Sequence, residues 1–391
     1  MSDSRKSFHT IVIGAGPSGL AASFCLKEKC IDYTVLEGSD RVVNSWHYVW
    51  PNFQFAQTVS EIAMPGLNLK EFNPDHHLKR DEIITIFENY QKKYDLNIKF
   101  NIKVTTIQKD RHEIYHVKTS QGDYTAKNVI LSIGARQQPK FPAFFEHIQE
   151  ETRKNKIIHS AWYQGAHYFP SNSKILVVGS GLSALSIAKD LASQLEMNHD
   201  VSIACRYSDA EIKRNNQHLL SVSTTLDDLA KMQVKNWGEL CHVNEEKNDL
   251  IFSDNQIVSL FCFFKIICAT GYNTSYELLN HLLKGRVPKQ QNGITTEAGL
   301  YMVGIPAAEE KTVTITKGGK EAENVVTHIY QRIQTSLKLS RQLFNPTNTT
   351  CFNTRKKSLF KYNALFASTN KKQKKIETEQ TNNPGRRISG L

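Results

Sequence analysis

The sequence lacks the features that define several common classes of protein. No uninterrupted apolar run reaches the roughly 18 to 20 residues that a membrane-spanning helix needs, and no group of acidic, histidine and cysteine residues has metal-ligand spacing. The seven cysteines are irregularly spaced and include no C-x-x-C pair, which argues against a disulfide scaffold, a zinc site and a redox dithiol. The chain starts without an apolar signal segment, so we expect a cytoplasmic protein.

Most of the chain has little net positive charge, and the excess of Lys and Arg is concentrated near its end. Residues 345–391 hold ten Lys or Arg against two Glu, which accounts for +8 of the net charge of +11. We therefore expect no nucleic-acid binding by the body of the protein. Residues 346–391 are rich in Asn, Thr and Lys and are predicted to form a disordered basic tail. Our hypothesis for this tail is contact with an anionic surface or a protein partner.

What the sequence does contain is two strand–turn–helix–strand patterns with glycine-rich turns. In the first, an apolar run from Phe8 to Ile13 leads into Gly14-Ala15-Gly16-Pro17-Ser18-Gly19, and the second strand ends at Glu37. Gly14 allows a tight turn, Gly16 lets a pyrophosphate approach the backbone, and Gly19 lets helix and strand pack closely. A carboxylate at Glu37 suits a ribose 2′-hydroxyl and repels a 2′-phosphate, so this turn is predicted to bind FAD or NAD rather than NADP.

The second pattern has the opposite charge at the end of its second strand. A strand over Lys174 to Val178 precedes the G-x-G-x-x-A turn from Gly179 to Ala184, with Gly181 as its second glycine. The following strand ends at Arg206, whose guanidinium can pair with the 2′-phosphate of NADPH. Lys213 and Arg214 are further candidates or solvated cations. The two patterns together predict FAD and NADPH in one protein, with hydride passing from NADPH to the flavin.

The order of these patterns predicts an α/β protein with two Rossmann-like dinucleotide-binding domains, the NADPH domain inserted into the FAD domain, followed by the basic tail. We assign residues 1–168 and 274–345 to FAD binding and residues 169–273 to NAD(P)H binding. Further predicted elements are a helix over Asp81 to Tyr94, an antiparallel excursion between Ile98 and Leu131, a buried strand pair within Ile257 to Ala269, a strand over Gly299 to Ile305 and a helix over Glu321 to Leu343.

Several motifs resemble the class B flavin-dependent monooxygenases, which include the flavin-containing monooxygenases and their plant auxin-forming relatives. The resemblance covers about Phe8 to Leu343. Its marks are Ser45-Trp46, Ile158-His159-Ser160-Ala161-Trp162-Tyr163, Ala269-Thr270-Gly271-Tyr272, Leu131 to Arg136 and Leu300 to Gly304. It implies that Trp46 lies near the flavin and that Thr270 and Gly271, in a linker between the nucleotide domains, contact a cofactor.

The chain departs from the family pattern at positions near the flavin. Val43-Asn44 replace two glycines, Gln57-Thr58 stand where the family has Asn-Thr, and Ile305 follows Gly304 where many flavoproteins carry Asp. Gln57 offers the same amide donor from one methylene further away. It is our candidate for the catalytic residue nearest the flavin, although Gln57 and Thr58 also fit ordinary loop positions.

Two tryptophans and a histidine each fit two interpretations. Trp46 and Trp50 fit either core packing or a lid over the flavin, and His159 fits either a role in the site or a strand cap.

The resemblance implies an NADPH-dependent FAD monooxygenase. In that family NADPH reduces FAD, molecular oxygen forms a hydroperoxide at flavin C4a, and a small soft nucleophile such as an amine or sulfide takes one oxygen atom. Two other interpretations stay open. One is an FAD-dependent NAD(P)H oxidase or reductase without oxygenation, and the other is an interaction protein with an idle flavoprotein body that acts through its tail. A disulfide reductase is disfavoured because no C-x-x-C is present.

Overall fold

The computed structural model describes residues 6–215, 224–286, 288–306 and 314–343. The predicted tail, 346–391, lies outside the described residues. Met1–Arg332 form one compact unit, and Ile333–Leu391 form a second unit, of which the structure describes only the end of the last helix. Within the described ranges, no helix combines the length and the apolar character needed to cross a membrane.

The described strands are β1 (Ser7–Ile13), β2 (Tyr33–Leu36), β3 (Gln54–Thr58), β4 (His77–Lys79), β5 (Ile98–Lys99), β6 (Val104–Lys109), β7 (Tyr115–Thr119), β8 (Tyr124–Leu131), β9 (Gln138–Pro139), β10 (Ile157–His159), β11 (Lys174–Val178), β12 (Asp200–Ala204), β13 (Lys235–Asn236), β14 (Leu240–Asn244), β15 (Asp249–Phe252), β16 (Ile257–Ser259), β17 (Lys265–Cys268), β18 (Tyr272–Asn273), β19 (Gln290–Gln291), β20 (Ile294–Thr295) and β21 (Leu300–Met302). The described helices are α1 (Pro17–Glu28), α2 (Asn44–His47), α3 (Arg80–Lys93), α4 (Glu150–Lys156), α5 (Leu182–Ser193), α6 (Asp209–Asn215), α7 (Leu226–Lys231), α8 (Asn280–Leu283) and α9 (Ile315–Leu343).

The first glycine-rich turn belongs to a sheet that has nine strands within the described residues. Its centre is parallel: β1 pairs with β2 on one side and with β8 on the other, and β8 pairs with β21. The carboxyl ends of these strands therefore meet at one edge, where dinucleotides bind in open α/β sheets. The predicted antiparallel excursion is present as β6 and β7, which join the sheet through β8. The apolar residues of these strands fill one core cluster.

The second glycine-rich turn belongs to a parallel sheet with the strand order β10-β17-β11-β12-β13 in the described part of the chain. The antiparallel strands β14, β15 and β16 form a smaller sheet beside it, and both contribute to a second core cluster. The second sheet begins before the boundary that we drew at residues 168 and 169, because β10 lies at Ile157–His159. The division into two domains remains a prediction.

Two strands lie within Ile257 to Ala269 as predicted, but they do not pair with each other and only the second is buried. β16 pairs with β15 in the small antiparallel sheet, whereas β17 lies between β10 and β11 in the parallel sheet. The strand β16 and the segment after it are partly at the surface, with Ile257 64% and Phe261 56% exposed. Two strands that are adjacent in sequence therefore belong to different sheets. The periodicity of so short a run does not predict which sheet a strand joins.

Two extended segments carry the chain between the sheets, and they pair with each other. β9 and β18 are antiparallel, with Tyr272 opposite Pro139. The backbone N–H of Lys140 donates to the carbonyl of Gly271 at 3.0 Å, and Thr270 Oγ1 donates to the carbonyl of Lys140 at 2.5 Å. The Ala269 to Tyr272 run is thus one half of a paired crossing.

Two helices begin earlier than their patterns predicted. The helical pattern after the first turn starts at Leu20, but α1 begins at Pro17. The N–H that proline lacks would be unpaired at the start of any helix, and the fixed φ of proline suits that position. α9 begins at Ile315 rather than Glu321, although it contains Gly318 and Gly319, which weaken helix propensity. A Cβ at Gly318 would lie 2.2 Å from Ser18 Oγ and 3.2 Å from Ser18 Cβ, so a larger residue there would force the Ser18 side chain on α1 to shift.

Candidate functional site

Two of the three glycines in the first turn are required by the fold itself. Gly14 has a φ of +100°, and a Cβ built there would lie 2.7 Å from the carbonyl oxygen of Ser132. A Cβ at Gly19 would lie 2.0 Å from the carbonyl oxygen of Gly14. Gly14 also donates its N–H to the carbonyl of Leu36 at 2.9 Å, which ties the turn to β2. These contacts match the tight turn and the close helix–strand packing that the motif predicted.

Gly16 is different, because neither its backbone nor its neighbours require a glycine. Its φ of −75° and ψ of 179° are extended values that any residue adopts, and it precedes α1 as the N-cap. No described atom lies within 4 Å of a Cβ built at Gly16. The space above the N-terminus of α1 is therefore open, and unpaired N–H groups with the helix dipole favour an anion there. This cradle fits a pyrophosphate.

Glu37 lies directly beside the first turn. Its Oε2 accepts a hydrogen bond from the N–H of Ala15 at 2.7 Å, and its Oε1 accepts from the N–H and the hydroxyl of Ser39 at 2.9 and 2.8 Å. An ionised carboxylate offers about four acceptor positions, so capacity remains for the hydroxyls of a ribose. The three bonds hold the carboxylate in the position that the motif predicted.

One residue of the segment that replaces the family's two glycines has a backbone conformation that glycine favours. Val43 has φ and ψ of 46° and 35°, the left-handed region, although it is β-branched. Its N–H donates to the carbonyl of Ala15 at 3.0 Å, which holds it against the first turn. A left-handed conformation costs an L-residue roughly 1–2 kcal/mol. The chain therefore retains this turn despite the local strain, which the sequence did not reveal.

The two tryptophans are placed in an aromatic layer. Trp46 is half-buried, with ring centroids 5.8 Å from Phe53 and 5.5 Å from Phe55. Trp50 is buried and lies 5.3 Å from Tyr163 in an edge-to-face arrangement, so it packs as a core residue. Contact between Trp46 and a cofactor remains a prediction.

Gln57 ends up buried with an unsatisfied amide oxygen. Its side chain is in β3 and is 4% exposed, and its Oε1 has no hydrogen-bond partner among the described residues. Its Nε2, the donor that we expected to face the flavin, donates to the carbonyl of Glu61 at 3.4 Å. A buried polar atom left unpaired costs about 1–3 kcal/mol, so a ligand that donates to this oxygen would fit. The neighbouring Thr58 caps the short 3-10 helix Val59–Glu61.

The residues of the second turn have the same separate roles as those of the first turn. Gly179 has a φ of +148°, and a Cβ there would lie 2.4 Å from the carbonyl oxygen of Ala269. Gly181, the N-cap of α5, has extended dihedral angles and no described atom within 4 Å of a built Cβ. Ala184 is fully buried against this turn, as the third position of the motif requires. The second cradle therefore also fits a pyrophosphate.

Arg206 follows β12 at the edge of the second cradle. Its N–H donates to Ser180 Oγ within the glycine-rich turn at 3.0 Å, and its guanidinium lies 4.7 Å above the ring of Tyr207. The side chain is 54% exposed, and one guanidinium nitrogen lies 3.8 Å from a carboxylate oxygen of Glu239. Glu239 was missed at the sequence level, because it follows a different strand and no motif includes it. Lys213 and Arg214 lie exposed on α6.

His159, Thr270 and Gly271 form the joint between the two crossing segments. His159 is fully buried, accepts from the N–H of Ala161 at 3.1 Å through Nδ1 and donates from Nε2 to the carbonyl of Gly271 at 3.0 Å. Burial lowers the pKa of His159, which favours this neutral form. His159 is the last residue of β10, and its side chain caps the short 3-10 helix Ser160–Trp162 rather than the strand. Cofactor contacts of Thr270 and Gly271 remain predictions.

Other candidate sites in the structure are weaker. The described ranges contain no group of three or more His, Cys, Asp or Glu side chains arranged to hold a metal ion. A cavity of about 580 Å³ lies between the loop Gly66 to Phe72 and α3, but none of the residues nominated above lines it. Because it is lined by acidic and basic residues of mixed sign, no single ligand chemistry is indicated.

Two open cradles at the carboxyl ends of parallel strands, one beside an acid and one beside an arginine, define a protein that binds two dinucleotides. The comparisons with known proteins identify the group. The chain belongs to the pyridine nucleotide-disulphide oxidoreductase family, whose model matches residues 11–304.

Relatives of this chain are oxidoreductases and monooxygenases. The uncharacterized oxidoreductase CzcO-like of Geobacillus kaustophilus is 27% identical over 82% of this chain and 97% of its own length. The probable indole-3-pyruvate monooxygenase YUCCA1 of Arabidopsis thaliana is 30% identical over 46% of this chain and 44% of its own.

Solved structures establish the fold. The flavin-containing monooxygenase from Stenotrophomonas maltophilia has a TM-score of 0.68 at 18% identity, covering 84% of this chain and 99% of that one. The bacillithiol disulfide reductase from Staphylococcus aureus has a TM-score of 0.67 at 15% identity with the same coverage. OTEMO, in complex with FAD and NADP, has a TM-score of 0.62 at 12% identity over 85% of this chain and 87% of that one.

These comparisons confirm the resemblance to the class B flavin-dependent monooxygenases, the α/β fold with Rossmann-like features and the oxidoreductase class. OTEMO, which shares this fold, binds FAD and NADP, and these correspond to the FAD and NADPH that the sequence predicted.

Proposed function

We propose that the protein is an NADPH-dependent FAD monooxygenase that oxygenates a small soft nucleophile, such as an amine or a sulfide. The observation that carries this proposal is the pair of open cradles with opposite charge beside them, Glu37 at the first and Arg206 at the second. Monooxygenases among the relatives and the structural neighbours support the oxygenating branch. The domain division, with residues 169–273 around the second cradle, is part of the same proposal.

Each cradle has a defined task in this proposal. Gly16 leaves room for the pyrophosphate of FAD at the N-terminus of α1, Gly14 and Gly19 shape the turn around it, and Glu37 accepts hydrogen bonds from its ribose. The bound flavin supplies the redox chemistry and the reaction with molecular oxygen. The residues around it have to orient the substrate and exclude water.

The second cradle has the corresponding task for NADPH. Gly179, Gly181 and Ala184 admit its pyrophosphate to the N-terminus of α5. Arg206 donates to its 2′-phosphate.

Replacing Arg206 should weaken the preference for NADPH. In Arg206→Ala, the ratio of kcat/KM for NADPH over NADH is expected to fall by at least about tenfold, or about 1.4 kcal/mol, because only NADPH carries the phosphate that the guanidinium recognises. Steady-state kinetics with both nucleotides measure the ratio. Arg153→Ala on α4 is the matched control and should leave it unchanged. An unaltered ratio in Arg206→Ala would remove Arg206 from this role.

Replacing Gln57 should separate oxygenation from simple oxidation. In Gln57→Leu, NADPH oxidation is expected to continue, while the fraction of NADPH that yields oxygenated sulfide falls severalfold and hydrogen peroxide rises to match. The amide is then no longer present to pair with a ligand in the site. The fold should persist, since leucine removes an unpaired buried oxygen. Methyl phenyl sulfide serves as the probe, with oxygen uptake, sulfoxide and peroxide measured together.

Gln54→Leu is the matched control for this experiment, because Gln54 lies on the same strand and is exposed. Gln57→Asn restores the family's side chain and should retain most of the coupling. If Gln57→Leu keeps the wild-type ratio of sulfoxide to peroxide, Gln57 is not the residue beside the reacting centre.

The second candidate function is an NAD(P)H oxidase or reductase that does not oxygenate. The strained Val43 turn and the buried Ile305, in place of an Asp, favour it, because both alter the surroundings expected for the flavin. A wild-type protein that converts all consumed oxygen to peroxide, with every amine and sulfide tested, would select this function. The third hypothesis, an interaction protein acting through its tail, concerns residues outside the described ranges.

A further inference from the structure

Topology brings an acidic residue next to the proposed phosphate-binding arginine. β12 and β13 are parallel neighbours, with Ile203 opposite Asn236. Their carboxyl ends therefore lie at the same edge of the sheet, where Arg206 follows β12 and Glu239 follows the turn after β13. One guanidinium nitrogen of Arg206 lies 3.8 Å from Oε1 of Glu239, and the two side chains are 54% and 48% exposed. Both are thus accessible to a ligand at this edge.

Backbone hydrogen bonds hold Glu239 at this position. The side-chain oxygen of Asn236 accepts from the N–H of Gly238 at 3.0 Å and from the N–H of Cys205, next to Arg206, at 3.2 Å. The N–H of Glu239 donates to Ser253 Oγ at 3.3 Å, and its carbonyl accepts from the N–H of Ser253 at 2.9 Å. The segment after β13 is therefore tied both to the end of β12 and to β15. The backbone of Glu239 is therefore fixed beside the end of β12, from which its carboxylate reaches Arg206.

We propose that Glu239 is a specificity-determining residue of the second dinucleotide site. Its carboxylate competes with a 2′-phosphate for the Arg206 guanidinium and so limits the preference for NADPH over NADH. This inference rests on the proposed role of Arg206 and goes beyond it. Arg206 favours NADPH and Glu239 opposes it at the same edge of the second sheet. The balance between the two residues sets the preference for NADPH over NADH.

The chemistry of the two nucleotides gives the direction of the effect. A phosphate monoester carries close to two negative charges near neutral pH, and like charges at this range repel. The 2′-hydroxyl of NADH is uncharged and can donate a hydrogen bond to a carboxylate, as the motif expects of Glu37 in the first site. Removal of the Glu239 charge should therefore help the phosphorylated ligand selectively.

The test measures binding of the adenosine phosphate half of each dinucleotide on its own, so no turnover is needed. The full-length, FAD-loaded protein is titrated calorimetrically with adenosine 2′,5′-bisphosphate and with adenosine 5′-monophosphate. Glu239→Gln is expected to bind the bisphosphate roughly five- to twentyfold more tightly, with the monophosphate changed by less than about twofold. Glu246→Gln, an exposed carboxylate in the turn after β14, is the matched control and should change neither affinity. Arg206→Ala should lose most of the selectivity for the bisphosphate.

The outcomes separate the two proposals. Unchanged selectivity in Glu239→Gln, together with a loss in Arg206→Ala, would overturn the role of Glu239 and leave Arg206 as the phosphate site. Unchanged selectivity in both variants would overturn both, because the phosphate would then bind elsewhere. A selective gain in Glu239→Gln, absent from Glu246→Gln, supports the inference whatever the enzyme does with oxygen.

Discussion

Gly16→Val is expected to fold like the wild-type protein and to bind FAD at least roughly a hundredfold more weakly. The reason is the open space at Gly16: no described atom lies within 4 Å of a Cβ there, and its extended backbone accepts any residue. The added methyl groups would occupy the space that a pyrophosphate needs at the N-terminus of α1. Flavin content per chain after purification, together with far-UV circular dichroism, measures the two effects separately.

Gly19→Val is the contrasting variant. Its Cβ would lie 2.0 Å from the carbonyl oxygen of Gly14 and 2.6 Å from Ser132 Oγ, so α1 could not stay in place. We expect a destabilisation of several kcal/mol and little folded protein. If Gly16→Val purifies with a full complement of flavin, the first cradle does not hold the pyrophosphate. If Gly19→Val folds normally, the packing of α1 against the turn is looser than described.

The pH dependence of stability should contain a clear contribution from His9. Burial, assisted by the nearby charges of Lys127 and Arg332 and opposed by Asp32, lowers the pKa of His9 to about 4. The unfolded chain, with an ordinary pKa near 6.5, therefore binds a proton more readily than the folded chain between about pH 6.5 and pH 4. This contribution is fully present above pH 6.5 and is lost as the pH falls towards 4. It amounts to about 3 kcal/mol in full, and to about 2 kcal/mol between about pH 7 and pH 5.

His9→Gln isolates this contribution from that of the carboxylates. Between about pH 7 and pH 5, the free energy of unfolding in urea should fall by about 2 kcal/mol less in His9→Gln than in the wild-type protein. A constant offset at both pH values reflects the lost contacts with Thr10 and Asn128 and does not affect the comparison. His242→Gln, at an exposed position of β14, should show the wild-type pH dependence. Identical slopes in His9→Gln and the wild type would contradict the assignment.

Local sequence determined the parts of the fold that were predicted well. The strand β11 occupies the predicted residues and β2 ends at Leu36, directly before Glu37, because each is a short apolar run bounded by turn residues. The positions of Gly14, Gly16 and Glu37 followed from a motif in which every residue has a separate physical reason. In such segments, the interactions that decide the structure lie within about 30 residues of one another.

The features that were not predicted depend on residues far apart in sequence. Glu239 meets Arg206 only because β13 joins the edge of β12, and β10 joins the second sheet only through β17. The glycine pair in α9 is typical of a helix breaker, and its packing, Gly318 against Ser18 and Gly319 against Met64 and Pro65, is known only from the structure. The unpaired oxygen of Gln57 likewise follows from tertiary burial, and no spacing rule reports it.

The pairing of β9 with β18 has a consequence for how such proteins diversify. The chain leaves the first sheet and returns to it at two points that are hydrogen-bonded to each other. A segment whose two ends lie close together can be replaced by another segment, because the rest of the chain keeps its path. An exchange of the segment between 138–139 and 272–273 would leave the order of β21, β8, β1 and β2 unchanged, because these four strands lie outside it.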